Sequence, residues 1–90
     1  MPYEIKQYSK DQAKKLNVTI RPSSKANFKI DVFKRDGDYI TSIGDKRYSD
    51  FPTYIESNGI EYARKRQKLY LARHSKDSGE RGYYAKSILW

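Results

Sequence analysis

The chain contains no cysteine and a single histidine, His74, in 90 residues. The lack of thiols excludes disulfide bonds and thiolate metal sites, and one histidine does not favour a zinc site. No apolar run reaches the ~18–20 residues that cross a membrane, and the N-terminal stretch lacks the apolar core of a signal peptide. We therefore expect one domain over residues 1–90, with a thin core and no covalent or metal support.

Acidic residues are scarce relative to basic ones, with 11 Asp and Glu against 19 Lys and Arg and a net charge of +8. The excess of basic over acidic residues lies at the two ends of the chain. Residues 1–27 hold six basic and two acidic side chains, giving +4; residues 28–59 hold five and six, giving −1; residues 60–90 hold eight and three, giving +5. This charge favours a polyanionic partner, above all nucleic acid, although a merely solvated basic surface would have the same composition.

Apolar alternation predicts a small antiparallel sheet. Phe28–Lys34 alternates in the manner of a half-buried strand, and Tyr39–Ile43 is expected to return beside it. Asp36-Gly37 lies between them and indicates a turn, because glycine adopts positive φ at little cost. Val18–Ile20 is a candidate third strand. A lone hairpin is marginal in water, so it needs an apolar cover, and a long helix later in the chain is the expected one.

Capping signals and helical periodicity predict four helices around this sheet, so the expected fold class is α+β. Ser9 is the expected N-cap of the first helix, Asn17 its end, and Asp50 lies at the start of the second. Residues 1–8 are expected to form an extended arm, and residues 77–82 a flexible loop. The predicted helices are Lys10–Leu16, Pro52–Ser57, Ile60–His74 and Tyr83–Trp90.

The long helix separates into two sides. Arg64, Lys65 and Lys68 share one side at helical spacing, and cations at this spacing suit phosphate contacts. An ordinary solvated face is the alternative. Basic residues of the first segment would join the binding surface if the two ends of the chain meet. The predicted nucleic-acid-binding residues are Lys14, Lys15, Arg21, Lys25, Arg64, Lys65 and Lys68.

The other side of this helix is aromatic and basic, and thirteen aromatic residues are many for a thin core. A structural homodimer that binds no nucleic acid is therefore the second hypothesis, with rings packed across the interface. Catalysis by His74 is not favoured, because no nucleophile and base can be paired from the spacing, so we expect no enzyme, cofactor or metal site. The candidate structural and interface residues are Tyr48, Asp50, Tyr62, Tyr70, Arg73, His74, Tyr84 and Trp90.

Three stretches carry a resemblance: IGDKRYSDFPTY, EYARKRQKLYLARHSKD and GYYAKSILW. Together they resemble a family of small uncharacterised proteins of the nucleocytoplasmic large DNA viruses. The resemblance implies a viral protein of the virion or the infected host cell, in cytoplasm or nucleus. Such a protein would bind packaged double-stranded DNA or bridge it to a capsid or core protein; no catalytic residue is implied. The matching positions are Ile43, Gly44, Tyr48, Ser49, Asp50, Phe51, Tyr70, Arg73, His74, Gly82, Tyr83, Tyr84, Ile88, Leu89 and Trp90.

Overall fold

A computed structural model describes residues 3–76 and 79–90 of the chain. The described residues form an α+β domain in which one helix precedes three strands and three helices follow them. This order confirms the predicted fold class. The elements are α1 (Gln7–Lys15), β1 (Val18–Pro22), β2 (Phe28–Lys34), β3 (Tyr39–Asp45), α2 (Phe51–Asn58), α3 (Ile60–Arg73) and α4 (Glu80–Ile88).

The sheet is antiparallel in the order β1-β2-β3, with Ile20 opposite Val32 and Ile30 opposite Ile43. These four side chains share the face that turns toward the core, as the period of two requires. The candidate third strand is therefore confirmed. β3 runs two residues beyond the predicted end at Ile43, through Gly44 to Asp45.

At Gly44 the sheet and the end of the chain lie close together. Its φ is +79°, and a Cβ there would lie 2.6 Å from Leu89 Cδ1 and 3.0 Å from Lys29 Cδ. A side chain at this position would therefore combine backbone strain with a steric clash. The bare backbone lets Leu89 pack directly on the strand.

The core lies between the sheet and α4. Ile30, Val32 and Ile43 pack with Ile88 and Leu89, and all five are essentially inaccessible to solvent. α1 packs against β1 and α4 and completes this layer. The prediction that the long helix covers the sheet is therefore corrected: α4 is the main cover.

The long helix, α3, instead packs mainly against α2. Ala63 is its one buried residue, whereas Leu69 and Leu71 are 50% and 40% exposed. Side chains two positions apart on a helix point about 200° away from each other, so Leu69 and Leu71 cannot form one apolar face. The pattern of α3 thus fits a helix that packs on α2 and contributes one residue, Ala63, to the buried interior.

Of two predictions near the N-terminus, one changes and one is confirmed. Ser9 is not the N-cap of α1, since the helix begins at Gln7 after Lys6, and Lys6 makes no side-chain capping bond. Ser9 is buried, and its hydroxyl donates to the Ile88 carbonyl at 2.9 Å, so it joins α1 to the end of α4. Asn17 has a φ of 62°, which confirms the left-handed end of the first helix.

The predicted arm and loop are only partly described. Residues 1 and 2 of the arm lie outside the described residues, whereas Tyr3 and Ile5 pack against the core. Residues 77 and 78 of the predicted loop also lie outside them, and Glu80 already begins α4. Within residues 3–76 and 79–90, no helix is long and apolar enough to cross a membrane.

Candidate nucleic-acid interface

A buried carboxylate fixes the helical half of the molecule to the sheet. Asp50 is fully buried; it caps α2 by accepting the Thr53 amide at 3.0 Å, as the capping signal predicted. The same carboxylate accepts from Lys29 Nζ at 2.9 Å and from the Tyr3 hydroxyl at 2.6 Å. Burial alone would raise the pKa of Asp50, but these hydrogen bonds outweigh it and hold the pKa below its ordinary value. Asp50 is therefore an internal anchor with no exposed surface.

A ladder of aromatic rings holds α3 against α2 and the last residue of the chain. Tyr62 contacts Tyr54 at 5.5 Å between ring centroids, and Tyr54 contacts Trp90 at 6.1 Å. Trp90 stacks on Tyr70 at 4.3 Å, and Tyr70 stacks on His74 at 4.2 Å. Each such pair is worth about 0.5–1.5 kcal/mol beyond burial. The four predicted interface rings on this side thus meet within one chain through Tyr54, but none is fully buried, and Tyr62 remains 42% exposed.

The predicted basic side of α3 faces solvent. Arg64, Lys65 and Lys68 are all exposed, and none of them has an ion-pair partner among the described residues. The ion pairs in that part of the chain involve other cations, namely Lys6, Lys29 and Arg47. These three α3 side chains are therefore available for an external anion.

The other predicted cations lie on different elements. Lys14 and Lys15 occupy the last turn of α1 and are exposed. Arg21 lies over the Phe33 ring, with its guanidinium carbon 4.7 Å from the centroid. Lys25 contacts Tyr39, donating to its hydroxyl at 2.8 Å. α1 packs on β1 and α4, whereas α3 packs on α2, so no main packing contact joins these cations to the α3 group.

A cleft between α3, α4 and the end of the sheet was not predicted. Its volume is about 840 Å³, and we call it the basic cleft. Asp45, the one acidic residue in the lining among the residues that the structure describes, is bound by Arg47 at 2.8 Å, and hydrogen bonds from Arg47 lower the Asp45 pKa to about 2. The cations that line the cleft are Lys29, Arg66, Arg73, Lys76 and Arg81.

Part of this cleft had a signal in the sequence. Arg66, Tyr70 and Arg73 recur at helical spacing, and this spacing identifies their side of α3. The position of Arg81 in the cleft could not be predicted from the sequence, because it depends on a hydrogen bond from Nε to the Ser42 carbonyl, 39 residues away. The cleft also collects residues from all three stretches that carry the viral resemblance, among them Tyr48, His74 and Leu89.

The remaining candidate interface residues are divided between surface and interior. Tyr48 is 66% exposed and lines the basic cleft, and Arg73 is exposed in the same lining. Tyr84 packs against the hydrophobic core, in contact with Tyr83 at 5.0 Å between centroids. A homodimer through these residues stays a prediction.

The described residues hold no group of three or more His, Asp or Glu side chains that could bind a metal ion. Comparison of the chain with protein-family models, with curated proteins and with solved structures finds no match.

Proposed function

We propose that this protein binds nucleic acid through phosphate contacts, with little sequence preference. The observation that carries the proposal is the outer side of α3, where Arg64, Lys65 and Lys68 are exposed and have no ion-pair partner among residues 3–76 and 79–90. Exposed cations bind phosphate at little desolvation cost and release counterions from the nucleic acid.

The shape of α3 suits this role. It has 14 residues and is about 21 Å long, and the three cations from Arg64 to Lys68 span about 6 Å of its axis, close to two phosphate intervals of about 3.4 Å along one strand. Its basic side presents flexible Lys and Arg side chains, which position a protein on a phosphate backbone and carry no sequence information themselves. The net charge of +8 adds a general attraction that raises the rate of encounter.

Double-stranded DNA is the first ligand to test, because the sequence resembles proteins of large DNA viruses. A role on packaged DNA in the virion or the infected cell is part of the same proposal. The test is fluorescence anisotropy with three unrelated duplexes of equal length, each titrated across a salt series. We expect similar affinities for the three, and log K that falls linearly with log salt. Absent binding at ~50 mM salt, or binding insensitive to salt, would contradict the proposal.

A further inference from the structure

The basic cleft combines cations with an exposed aromatic ring in a concave site. Arg73 and Lys76 line it and have no ion-pair partner among the described residues. Arg81 is oriented by its bond to Ser42 and by the Phe28 ring, 4.8 Å from its guanidinium carbon. Asp45, the acidic residue of the described lining, is ion-paired with Arg47, so Arg73, Lys76 and Arg81 face no unpaired carboxylate among the described lining residues.

Tyr48 supplies the surface on which a planar group can pack. Among the described residues it is the most exposed large hydrophobic side chain, although the Arg47 guanidinium carbon lies 5.5 Å from its ring centroid. Tyr70, by contrast, has Trp90 and His74 stacked at about 4 Å on it. A ligand ring entering the cleft would therefore pack on Tyr48, while the inner ladder forms part of the wall.

The size and shape of the cleft favour an unpaired nucleotide over a duplex. A volume of about 840 Å³ lies within the ~300–1,000 Å³ range of small-molecule sites. A duplex keeps its bases stacked inside and presents only phosphates and groove edges, whereas a single strand offers base faces that stack on aromatic side chains.

We propose that the basic cleft binds a segment of single-stranded nucleic acid, with a base packed on Tyr48 and its phosphates contacted by Arg73 and Lys76. The inference rests on the proposed function and adds a second site to it, since the outer side of α3 would contact the backbone of either form. Trp90, the single tryptophan, lines this cleft and therefore reports its occupancy.

The experiment compares two double variants with the same chemical changes. Tyr48→Ala/Arg73→Gln alters the cleft, and Tyr83→Ala/Arg64→Gln alters an exposed tyrosine and an α3 arginine that do not line it. Each variant and the wild type are titrated with oligo(dT) and with a duplex of equal length at low salt, by anisotropy and by Trp90 fluorescence. Circular dichroism melts check that both variants fold.

We expect oligo(dT), but not the duplex, to change Trp90 fluorescence in the wild type. The cleft variant should lose at least about fivefold in oligo(dT) affinity, the lower bound for one lost base stack, and less than about twofold in duplex affinity. The control variant should weaken both ligands alike. Equal losses for both ligands in the cleft variant, or no loss, would overturn the cleft proposal and leave the proposed function standing. Wild-type protein that binds neither ligand would overturn both.

Discussion

The sheet half and α3 differ in what holds them. In the sheet half, Ile30, Val32 and Ile43 pack against Ile88 and Leu89 with no solvent access. In α3, Ala63 is the one buried residue, and most of the cations are exposed. The first region obtains its stability from a dry core, whereas the second depends on an aromatic ladder and on the anchor of α2 beside it.

This difference separates folding from binding. Cations that bind phosphate must be exposed to solvent and free of ion-pair partners. The same side chains cannot also be buried in the core, because burying an unpaired charge is costly. The two regions are joined at Asp50 and at Trp90, which connect α2 and α3 to the sheet half through a buried ion pair and ring contacts. Substitutions on either side of this division should therefore have distinct effects.

Breaking the buried ion pair should have the largest effect. Asp50→Ala leaves the Lys29 ammonium buried without its partner and removes the cap of α2, so we expect a loss of about 3–5 kcal/mol in the free energy of unfolding. Urea denaturation measures it. Asp11→Ala, at an exposed carboxylate whose one side-chain partner among the described residues is Gln7, should change stability by less than about 0.5 kcal/mol. A cost below about 1 kcal/mol for Asp50→Ala would show that the pair is no anchor.

Truncating one aliphatic side chain in each region tests whether the core and α3 contribute differently to the free energy of unfolding. Ile88→Ala removes a fully buried side chain from the core and should cost about 2–5 kcal/mol. Leu69→Ala, at a position 50% exposed on α3, should stay within about 0.5 kcal/mol of the wild type. Thermal melts of the two variants side by side give the answer. Similar losses for both would mean that α3 is part of the core.

The Tyr3 hydroxyl should make the anchor sensitive to alkali. Burial, with the hydrogen bond to Asp50, raises the pKa of Tyr3 well above its ordinary value near 10. The folded state therefore keeps a proton that the unfolded chain loses, so this contribution is present below about pH 10 and declines as the pH rises above it. Tyr3→Phe should cost about 1.5–3 kcal/mol at neutral pH.

Unfolding measured from pH 8 to 11 tests this linkage. The cost of Tyr3→Phe relative to the wild type should shrink as the pH rises, because only the wild type carries the Tyr3 contribution. Lysine titration affects both proteins alike and cancels in the difference. A cost that stays constant over the whole range would contradict the raised pKa.

Local signals in the sequence predicted much of the fold. Phe28–Lys34 has the predicted bounds, and Asp50 caps α2, because alternation and capping depend on near neighbours. The cover of the sheet was assigned to the wrong helix, since the choice between α3 and α4 depends on contacts far apart in sequence. The role of Ser9 was missed for the same reason: its partner, the Ile88 carbonyl, is 79 residues away.

The candidate site divides in the same way. The basic side of α3 could be predicted, because helical spacing alone brings Arg64, Lys65 and Lys68 together. The basic cleft could not, because Tyr48 comes from a loop and Arg81 from α4, and only the packed chain places them beside Arg73. Ion pairing was also hidden from the sequence. The negative charge of Asp45 could be read from its residue type, but its ion pair with Arg47 could not.

The salt dependence of two triple variants of equal charge tests whether the basic side of α3 carries the binding. Arg64→Gln/Lys65→Gln/Lys68→Gln and Lys10→Gln/Lys34→Gln/Lys46→Gln each remove three exposed cations, so both lower the net charge from +8 to +5. Duplex binding across a salt series should show a log–log slope reduced by up to about 2.7 for the α3 variant, from about 0.9 per lost phosphate contact, with little change for the control. Equal slopes for the two variants would show that net charge, and not the basic side of α3, carries the binding.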